Sequence, residues 1–301
     1  MNSSGAITHR YLTERDLDTT VIGCDSCLVK LTILGSGGPI PDPNRAGPST
    51  LVQAGGLNLL VDCGRGVVMR LAGAGLLPPM LHRVLLTHLH SDHITDFNDV
   101  FTTRWVMSPT PNSLPVTGPP GTVDFVERTK TMLTHDIGYR IAHHDDLNDP
   151  PAADVAELLD GVVLEQDGVR VIAAPTDHRP VHPTIGFRIE HDGKAIVLAG
   201  DTVPCEGLDR LCAGADVYVQ TVIREDLVKL VPSARLQDIL DYHSSVTQAG
   251  ETAKRAGVKT LVLTHMVPSV APGTEGEWIA LAAAHFDGEI VLATDLLAIE
   301  V

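Results

Sequence analysis

The sequence predicts an α/β protein built from two halves whose sheets pack against each other. Short hydrophobic runs typical of strands alternate with helical segments along most of the 301 residues. The run at 84–88, VLLTH, returns late in the chain at 261–265 as LVLTH. Each half also has a strand that ends beside an aspartate, Asp62 or Asp201. This weak repetition indicates two stacked αβ halves, and we place the boundary between them near Gly186.

The strands of the first half are aliphatic runs bounded by glycine, proline or aspartate. We expect them at residues 31–34, 49–52, 57–60 and 83–87. A helix over 66–74 follows from the apolar spacing of Val67, Val68 and Leu71. A second helix is expected from Asp92 to Phe101.

In the second half, strands are expected at 169–175, 185–189, 195–199, 217–219 and 260–264. Residues 191–194, HDGK, contain an Asp-Gly pair that favours a tight hairpin between two of these strands. Ser245 and Gln248 match a helix capping box, and Gly257 is a typical helix end.

Length and composition fit one large domain, which we expect at residues 31–301 after an N-terminal arm at 1–30. Hydrophobic residues make up 44% and aromatic residues only 4%, so the core should be aliphatic. No apolar run reaches the roughly 18 residues that span a bilayer, and no secretory signal pattern is present. We therefore expect a cytoplasmic protein without membrane contact.

The net charge limits the kinds of binding partner, and the cysteine content indicates whether disulfides are present. The formal net charge of -16 repels polyanions, and no run rich in lysine or arginine compensates for it. Five cysteines are an odd number that fits free thiols better than a disulfide framework. Cys24 and Cys27 form a C-x-x-C pair, but without a second pair or a following redox helix we expect no metal or redox role.

The segment 87–93, THLHSDH, brings four metal-ligating side chains together within six residues. In an extended loop His88 and His90 project to the same side and can share one metal. Asp92 and His93 are neighbours that must diverge, so they suit a second metal about 3.5–4 Å away. The segment therefore predicts a dinuclear metal site.

Other strand ends supply further ligand candidates, namely His178, Asp201 and His265. His182 is an alternative to His178, which is favoured because it directly follows its strand. Asp62 is a candidate partner that would orient a ligating histidine.

Imidazole and carboxylate without thiolate suit Zn²⁺, with Mn²⁺ or Fe²⁺ as alternatives. Two metals at this spacing activate water and stabilise charge on the attacked group, which is hydrolase chemistry. His243 precedes a helix N-terminus, where an anion is favoured, and could donate a proton to the leaving group. We expect Asp92 and His243 to be the catalytic residues. Three other histidines, His135, His143 and His144, are expected on the surface.

The pattern His-x-His-x-Asp-His after a hydrophobic strand resembles the signature of the metallo-β-lactamase superfamily. This resemblance implies a four-layer αββα sandwich with one or two metals at the edge of its sheets. It also assigns the ligands, with a shared bridging carboxylate. One metal would take His88, His90 and His178, the other Asp92, His93 and His265, and Asp201 would bridge them.

Residues 243–265, with TGPPG at 117–121 and GDT at 200–202, resemble the ribonuclease Z branch, the tRNA 3′-end endonucleases. That branch also holds arylsulfatase-like and small phosphodiesterase enzymes. The resemblance implies a zinc-dependent phosphodiesterase and a homodimer. A sulfate ester, lactone or other ester hydrolase is the alternative, and a non-catalytic metal-binding protein is a third.

Two departures from the ribonuclease Z pattern bear on the substrate. Residues 191–194 replace the long basic arm with which the family grips tRNA. Thr221 stands where the family has a glutamate that orients the histidine matching His243. Together with the net charge, the missing arm favours a small phosphodiester or ester substrate and disfavours tRNA.

Overall fold

The computed structural model describes residues 29–301 and consists of two seven-stranded mixed sheets packed face to face. The first sheet has the strand order β14-β1-β2-β3-β4-β5-β6. Its strands are β1 (Lys30–Gly35), β2 (Ser49–Ala54), β3 (Leu57–Val61), β4 (Arg83–Leu85), β5 (Leu114–Gly118), β6 (Ala153–Glu157) and β14 (Leu297–Glu300). Strands β3 to β6 run parallel, and the remaining neighbours are antiparallel.

The second sheet has the order β13-β12-β11-β10-β9-β8-β7. Its strands are β7 (Gly161–Gln166), β8 (Val169–Pro175), β9 (Ile185–His191), β10 (Lys194–Leu198), β11 (Val217–Ile223), β12 (Thr260–Val267) and β13 (Glu289–Leu292). Strands β10 to β13 are parallel to one another. The turn between β9 and β10 has positive φ at Asp192 and Gly193, as a two-residue hairpin requires.

Helices lie on the outer face of each sheet and in the connections between strands. They are α1 (Val67–Gly73), α2 (Ser91–Ile94), α3 (Phe97–Met107), α4 (Thr122–Met132), α5 (Thr134–His143), α6 (Glu206–Cys212), α7 (Glu225–Val228), α8 (Ala234–Gln237), α9 (Val246–Ala256) and α10 (Glu275–Ala283). None of the helices within residues 29–301 is long and apolar enough to cross a membrane.

Alternation along the strands creates three cores between the four layers. Ile196 and Val219 point between the sheets, where they pack with Phe187 and other aliphatic residues. Their neighbours Val197 and Tyr218 point outward, into the core beneath α6, α9 and α10. A third core joins the first sheet to α1, α3 and α4. The predicted four-layer αββα sandwich is confirmed.

The predicted boundary near Gly186 is wrong. Gly186 lies inside β9, and the chain leaves the first sheet between β6 and β7. It then returns to the first sheet with β14, which pairs with β1. Both β6 and β7 are edge strands in which no residue is fully buried, so the alternation of buried and exposed positions is weak there.

The expected helix from Asp92 to Phe101 is divided into α2 and α3. Asp96, between the two helices, accepts a hydrogen bond from the Gly66 amide at 2.5 Å and leaves helical geometry. Of the expected arm, residues 1–28, including Cys24 and Cys27, lie outside the described residues. Val29 is already buried, and β1 begins one residue later.

Candidate metal centre

The ends of four strands meet at one edge of the sandwich and bring together side chains that are far apart in sequence. The loop after β4 carries two of them and the adjoining helix α2 carries two more, while the ends of β8, β10 and β12 provide the others. Their ligand atoms form two groups, each with all atoms within 4.8 Å of one another: His88, His90, His178 and Asp201, and Asp92, His93 and His265. All seven positions that the sequence indicates thus lie in one cluster.

Asp201 lies between the two groups. Its Oδ2 atom is 3.5 Å from Nε2 of His93 and 3.5 Å from Nε2 of His265. The same oxygen is 3.9 Å from Nε2 of His88 and 3.8 Å from Nε2 of His178. A carboxylate in this position can contact ions on both sides.

Several buried polar atoms of the cluster have no hydrogen-bond partner among the described residues, namely His93 Nε2, Asp201 Oδ1 and His265 Nδ1. Burying such atoms without a partner is costly. Divalent ions would satisfy the first two directly, and imidazole with carboxylate is a suitable donor set. The residues present therefore fit a pair of divalent metal ions.

Asp62 fixes the orientation of His93. Its carboxylate accepts a hydrogen bond from Nδ1 of His93 at 2.8 Å. It also accepts bonds from the backbone N–H and the hydroxyl of Thr87, each at 2.8 Å. Asp62 adopts a φ of 60°, in the left-handed region that few residues other than glycine occupy. This backbone turn at the end of β3 aims the carboxylate at the metal edge.

A backbone carbonyl orients His178, one of the two histidines that the second sheet provides to the cluster. Nδ1 of His178 lies 2.7 Å from the Tyr242 carbonyl oxygen, which leaves Nε2 facing the cluster. His182 belongs to neither ligand group and is exposed, whereas His178 is fully buried. The contribution of Tyr242 had no signal in the sequence, because every residue carries a carbonyl.

Electrostatics keep several of these groups in the form that binds a metal. Burial lowers the pKa of His88 well below its usual value and that of His178 to about 4, so both are neutral near pH 7. Burial alone would raise the pKa of Asp92, but the hydrogen bond and charge of His265 lower it to about 2. Neutral imidazole and ionised carboxylate are the ligating forms.

His243 is buried beside the cluster. Its Nε2 atom lies 3.2 Å from Oδ2 of Asp201, and its Nδ1 atom lies 3.2 Å from the Ile239 carbonyl oxygen. The following helix, α9, begins with the expected capping box, in which Ser245 and Gln248 bond reciprocally. The helix therefore anchors the chain just after His243.

Among the described residues, 29–301, no hydrogen bond joins Thr221 to His243. Its hydroxyl donates to the carbonyl of Gly200 at 3.1 Å, next to Asp201. The Ile239 carbonyl is instead the group that faces Nδ1 of His243. The three histidines expected on the surface, His135, His143 and His144, are exposed.

Comparison with known proteins assigns the class. Residues 57–266 match the model of the beta-lactamase superfamily domain. The solved structure of the metallo-beta-lactamase fold protein YhfI from Bacillus subtilis superimposes with a TM-score of 0.71 at 23% identity, over 91% of this chain and 99% of that one. Human tRNase Z, short form, gives a TM-score of 0.66 at 23% identity, over 90% and 98%. At this identity the two structures show a shared fold.

Sequence relatives narrow the class to a family. A Ribonuclease Z of Mycobacterium avium is 59% identical over 276 residues, which are 91% of this chain and 99% of that protein. The Ribonuclease Z of Mycobacterium tuberculosis is 56% identical over 91% of this chain and 98% of its own length. The chain belongs to the beta-lactamase superfamily and, within it, to the ribonuclease Z family. The family resemblance inferred from the motifs is confirmed.

Proposed function

We propose that this chain is a dinuclear zinc-dependent phosphodiesterase that cleaves RNA, as the name of its relatives indicates. The observation that carries the proposal is the pair of ligand groups joined through Asp201. Such an arrangement suits hydrolysis of a phosphodiester, because charge develops on both the attacking and the leaving oxygen. Because the chain belongs to the ribonuclease Z family, we favour hydrolysis of a phosphodiester over hydrolysis of the other esters that this fold can cleave.

Each side of the centre would hold one ion. His88, His90 and His178 would hold the first, Asp92, His93 and His265 the second, and Asp201 would contact both. Two ions in these places would supply Lewis acidity to the phosphoryl group and an activated water nucleophile. Asp62 and the Tyr242 carbonyl fix the tautomers of His93 and His178, so that Nε2 of each ring remains available.

His243 supports the proposal as the proton donor for the leaving oxygen. Its Nδ1 atom faces a carbonyl oxygen and therefore carries a proton, which directs Nε2 towards the cluster. From this position the ring can hold a second proton beside the reacting phosphate and release it to the departing oxygen.

Two observations bear on the size of the substrate. The net charge of -16 opposes the binding of a polyanion, and a small diester needs no extended contact. The short turn between β9 and β10, however, does not separate this chain from its relatives. The Mycobacterium avium protein aligns over 276 residues that are 99% of its length, which leaves no room for an arm of tens of residues. We therefore propose RNA as the substrate, with small activated phosphodiesters also accepted.

The proposal is tested with the zinc-loaded protein and a precursor tRNA that carries a 3′ trailer. We expect a single cleavage at the 3′ end, lost when His88 is replaced by alanine and retained in the His135→Ala control. A panel of sulfate esters, lactones and aryl phosphodiesters is assayed in parallel. Turnover of a sulfate ester or lactone with no phosphodiester cleavage would contradict the proposal and favour the alternative ester hydrolase. Absence of turnover on every substrate by protein with two zinc ions would favour a non-catalytic metal-binding role.

A further inference from the structure

A carboxylate near the C-terminus holds the loop that contacts His265. Oδ1 of Asp295 accepts hydrogen bonds from the backbone N–H of Ser36 at 2.9 Å and from its hydroxyl at 2.8 Å. Oδ2 accepts from the Ala46 amide at 2.7 Å and from Nε of Arg70 at 2.9 Å. The Asp295 side chain is only 7% exposed, so these bonds are largely shielded from water.

The turn that carries Asp295 connects the two sheets at the metal edge. The N–H of Ala293 donates to the Leu263 carbonyl in the second sheet at 2.8 Å. The N–H of Leu296 donates to the Ile33 carbonyl in the first sheet at 2.7 Å. Arg45 also connects this turn to Ser36, because one guanidinium nitrogen donates both to the Ser36 hydroxyl and to the Ala293 carbonyl. Asp295 therefore lies in a turn that is hydrogen-bonded to β12 of the second sheet and to β1 of the first sheet.

The loop that Asp295 holds is in direct contact with His265. The N–H of His265 donates to the Ser36 carbonyl at 3.0 Å. Gly38 lies against the imidazole, since a Cβ atom at this position would be 3.1 Å from Nδ1 and Cε1 of the ring. His265 also has a φ of 52°, a backbone conformation that residues with a Cβ atom rarely adopt. Such a conformation persists only where the surroundings impose it.

We propose that Asp295 is a positioning residue for the His265 side of the metal centre. It acts through Ser36, whose backbone carbonyl holds the N–H of His265, and through Gly38, which limits where the ring can lie. Without the carboxylate, residues 36–38 lose the bonds that fix them, and His265 loses the contacts that maintain its backbone and ring. The metal bound by Asp92, His93 and His265 should then be held more weakly, whereas the ion bound by His88, His90 and His178 should not.

This inference depends on the metal centre of the proposed function but not on its substrate. Zinc affinity is therefore measured by competition with a chromophoric chelator, and the site affected is identified from the visible spectrum of the Co²⁺-substituted protein. In Asp295→Ala we expect one of two affinities to fall about 10- to 100-fold, the range for partners that orient metal ligands. Asp295→Asn keeps the acceptor for Ser36 but loses the one for Ala46 and Arg70, so it should retain only part of the affinity. Asp287→Ala removes an exposed aspartate and serves as the control.

A double-variant comparison separates positioning from general stability. If Asp295 acts through His265, Asp295→Ala should cause no additional loss of metal affinity in the His265→Ala background. If Asp295→Ala does not fold, Ser36→Ala tests the role of Asp295 instead. This variant removes one hydrogen bond to Asp295 and should weaken zinc binding at the His265 site to a lesser degree. Equal weakening of both sites, unchanged affinities, or additive losses with His265→Ala would overturn the role of Asp295. Wild-type protein that binds fewer than two zinc ions would overturn the centre itself, and this role with it.

Discussion

Asp62 accepts a hydrogen bond from Nδ1 of His93 at 2.8 Å, although the two residues are 31 positions apart. The same carboxylate holds the backbone of Thr87, the residue that precedes His88. One side chain at the end of β3 therefore orients a ligand candidate directly and positions the start of the His-rich loop. Partners of this kind make ligands more basic and fix their tautomer.

Removal of that carboxylate should weaken the metal centre. For Asp62→Ala we expect zinc affinity to fall about 10- to 100-fold, because the ring of His93 loses its orientation. Competition with a chelator measures the change. Asp99→Ala is the matched control, since Asp99 is exposed and its carboxylate accepts a hydrogen bond from the Thr103 hydroxyl in its own helix. Identical affinities in the two variants would show that Asp62 does not position the ligand.

Replacement of the two ligand carboxylates should have different effects. Asp92 belongs to one ligand group, whereas Asp201 lies within 4 Å of histidines from both. Asp92→Ala should therefore lose or weaken one metal, and Asp201→Ala should disturb both. Elemental analysis after dialysis measures the content. A centre that keeps its full metal content in Asp201→Ala would contradict the bridging position.

Metal binding should release protons. Burial alone would lower the pKa of His93, but the carboxylates of Asp201 and Asp62 outweigh it and raise this pKa well above 6.5. The pKa of His265 is raised as well, because Asp201 and Asp92 together outweigh burial. Both rings therefore hold a proton more tightly than an unperturbed imidazole, and zinc must displace the protons they hold. Zinc affinity should consequently fall as the pH is lowered.

The same shifts determine how the metal-free protein responds to pH. A raised folded-state pKa contributes stability that is complete below the unfolded value near 6.5 and is lost as the pH rises through the folded value.

Calorimetric titration with zinc in two buffers of different ionisation enthalpy measures the number of protons that zinc binding releases. Heats that do not depend on the buffer would rule out this protonation state.

His243→Ala should reveal a proton donor through its dependence on the leaving group. With a poor alkoxide leaving group we expect kcat to fall roughly 10²-fold or more, since general-acid assistance contributes about that much. With an activated aryl leaving group the loss should be small, and metal content should stay intact. His135→Ala is the surface control. Equal losses on both substrates would indicate a binding role.

Salt should separate RNA from small substrates. Phosphate contacts of a nucleic acid weaken steeply as salt rises, and the net charge of -16 leaves little attraction to offset this. We expect KM for precursor tRNA to rise strongly between low and physiological salt, while kcat/KM for a small aryl diester changes little. Efficient cleavage of precursor tRNA at physiological salt would show that a local surface overcomes the net charge.

The sequence was most informative where ligand chemistry and strand pattern coincide. The positions of His88, His178, Asp201 and His265 followed from strands that end in a ligating side chain, and the structure brings them to one edge. The four layers followed from the family pattern. These features are local in sequence, so a periodic run and the residue after it suffice to identify them.

Other features depend on contacts that leave no local signal. The carbonyls of Tyr242 and Ile239 orient two histidines, but any residue could supply them. Asp295 reaches Ser36 across 259 positions, which no periodicity reveals. The change of sheet was misplaced because the edge strands on either side of it contain no fully buried residue, so their alternation is weak. Tertiary context decides such features.

Anomalous diffraction from zinc-soaked crystals tests the dinuclear centre most directly. We expect two zinc peaks per chain about 3.5–4 Å apart, the spacing of two-metal hydrolase sites. One should be bound by His88, His90 and His178, the other by Asp92, His93 and His265, with Asp201 contacting both. A single peak at this edge, or two peaks with Asp201 bound to neither, would contradict the account.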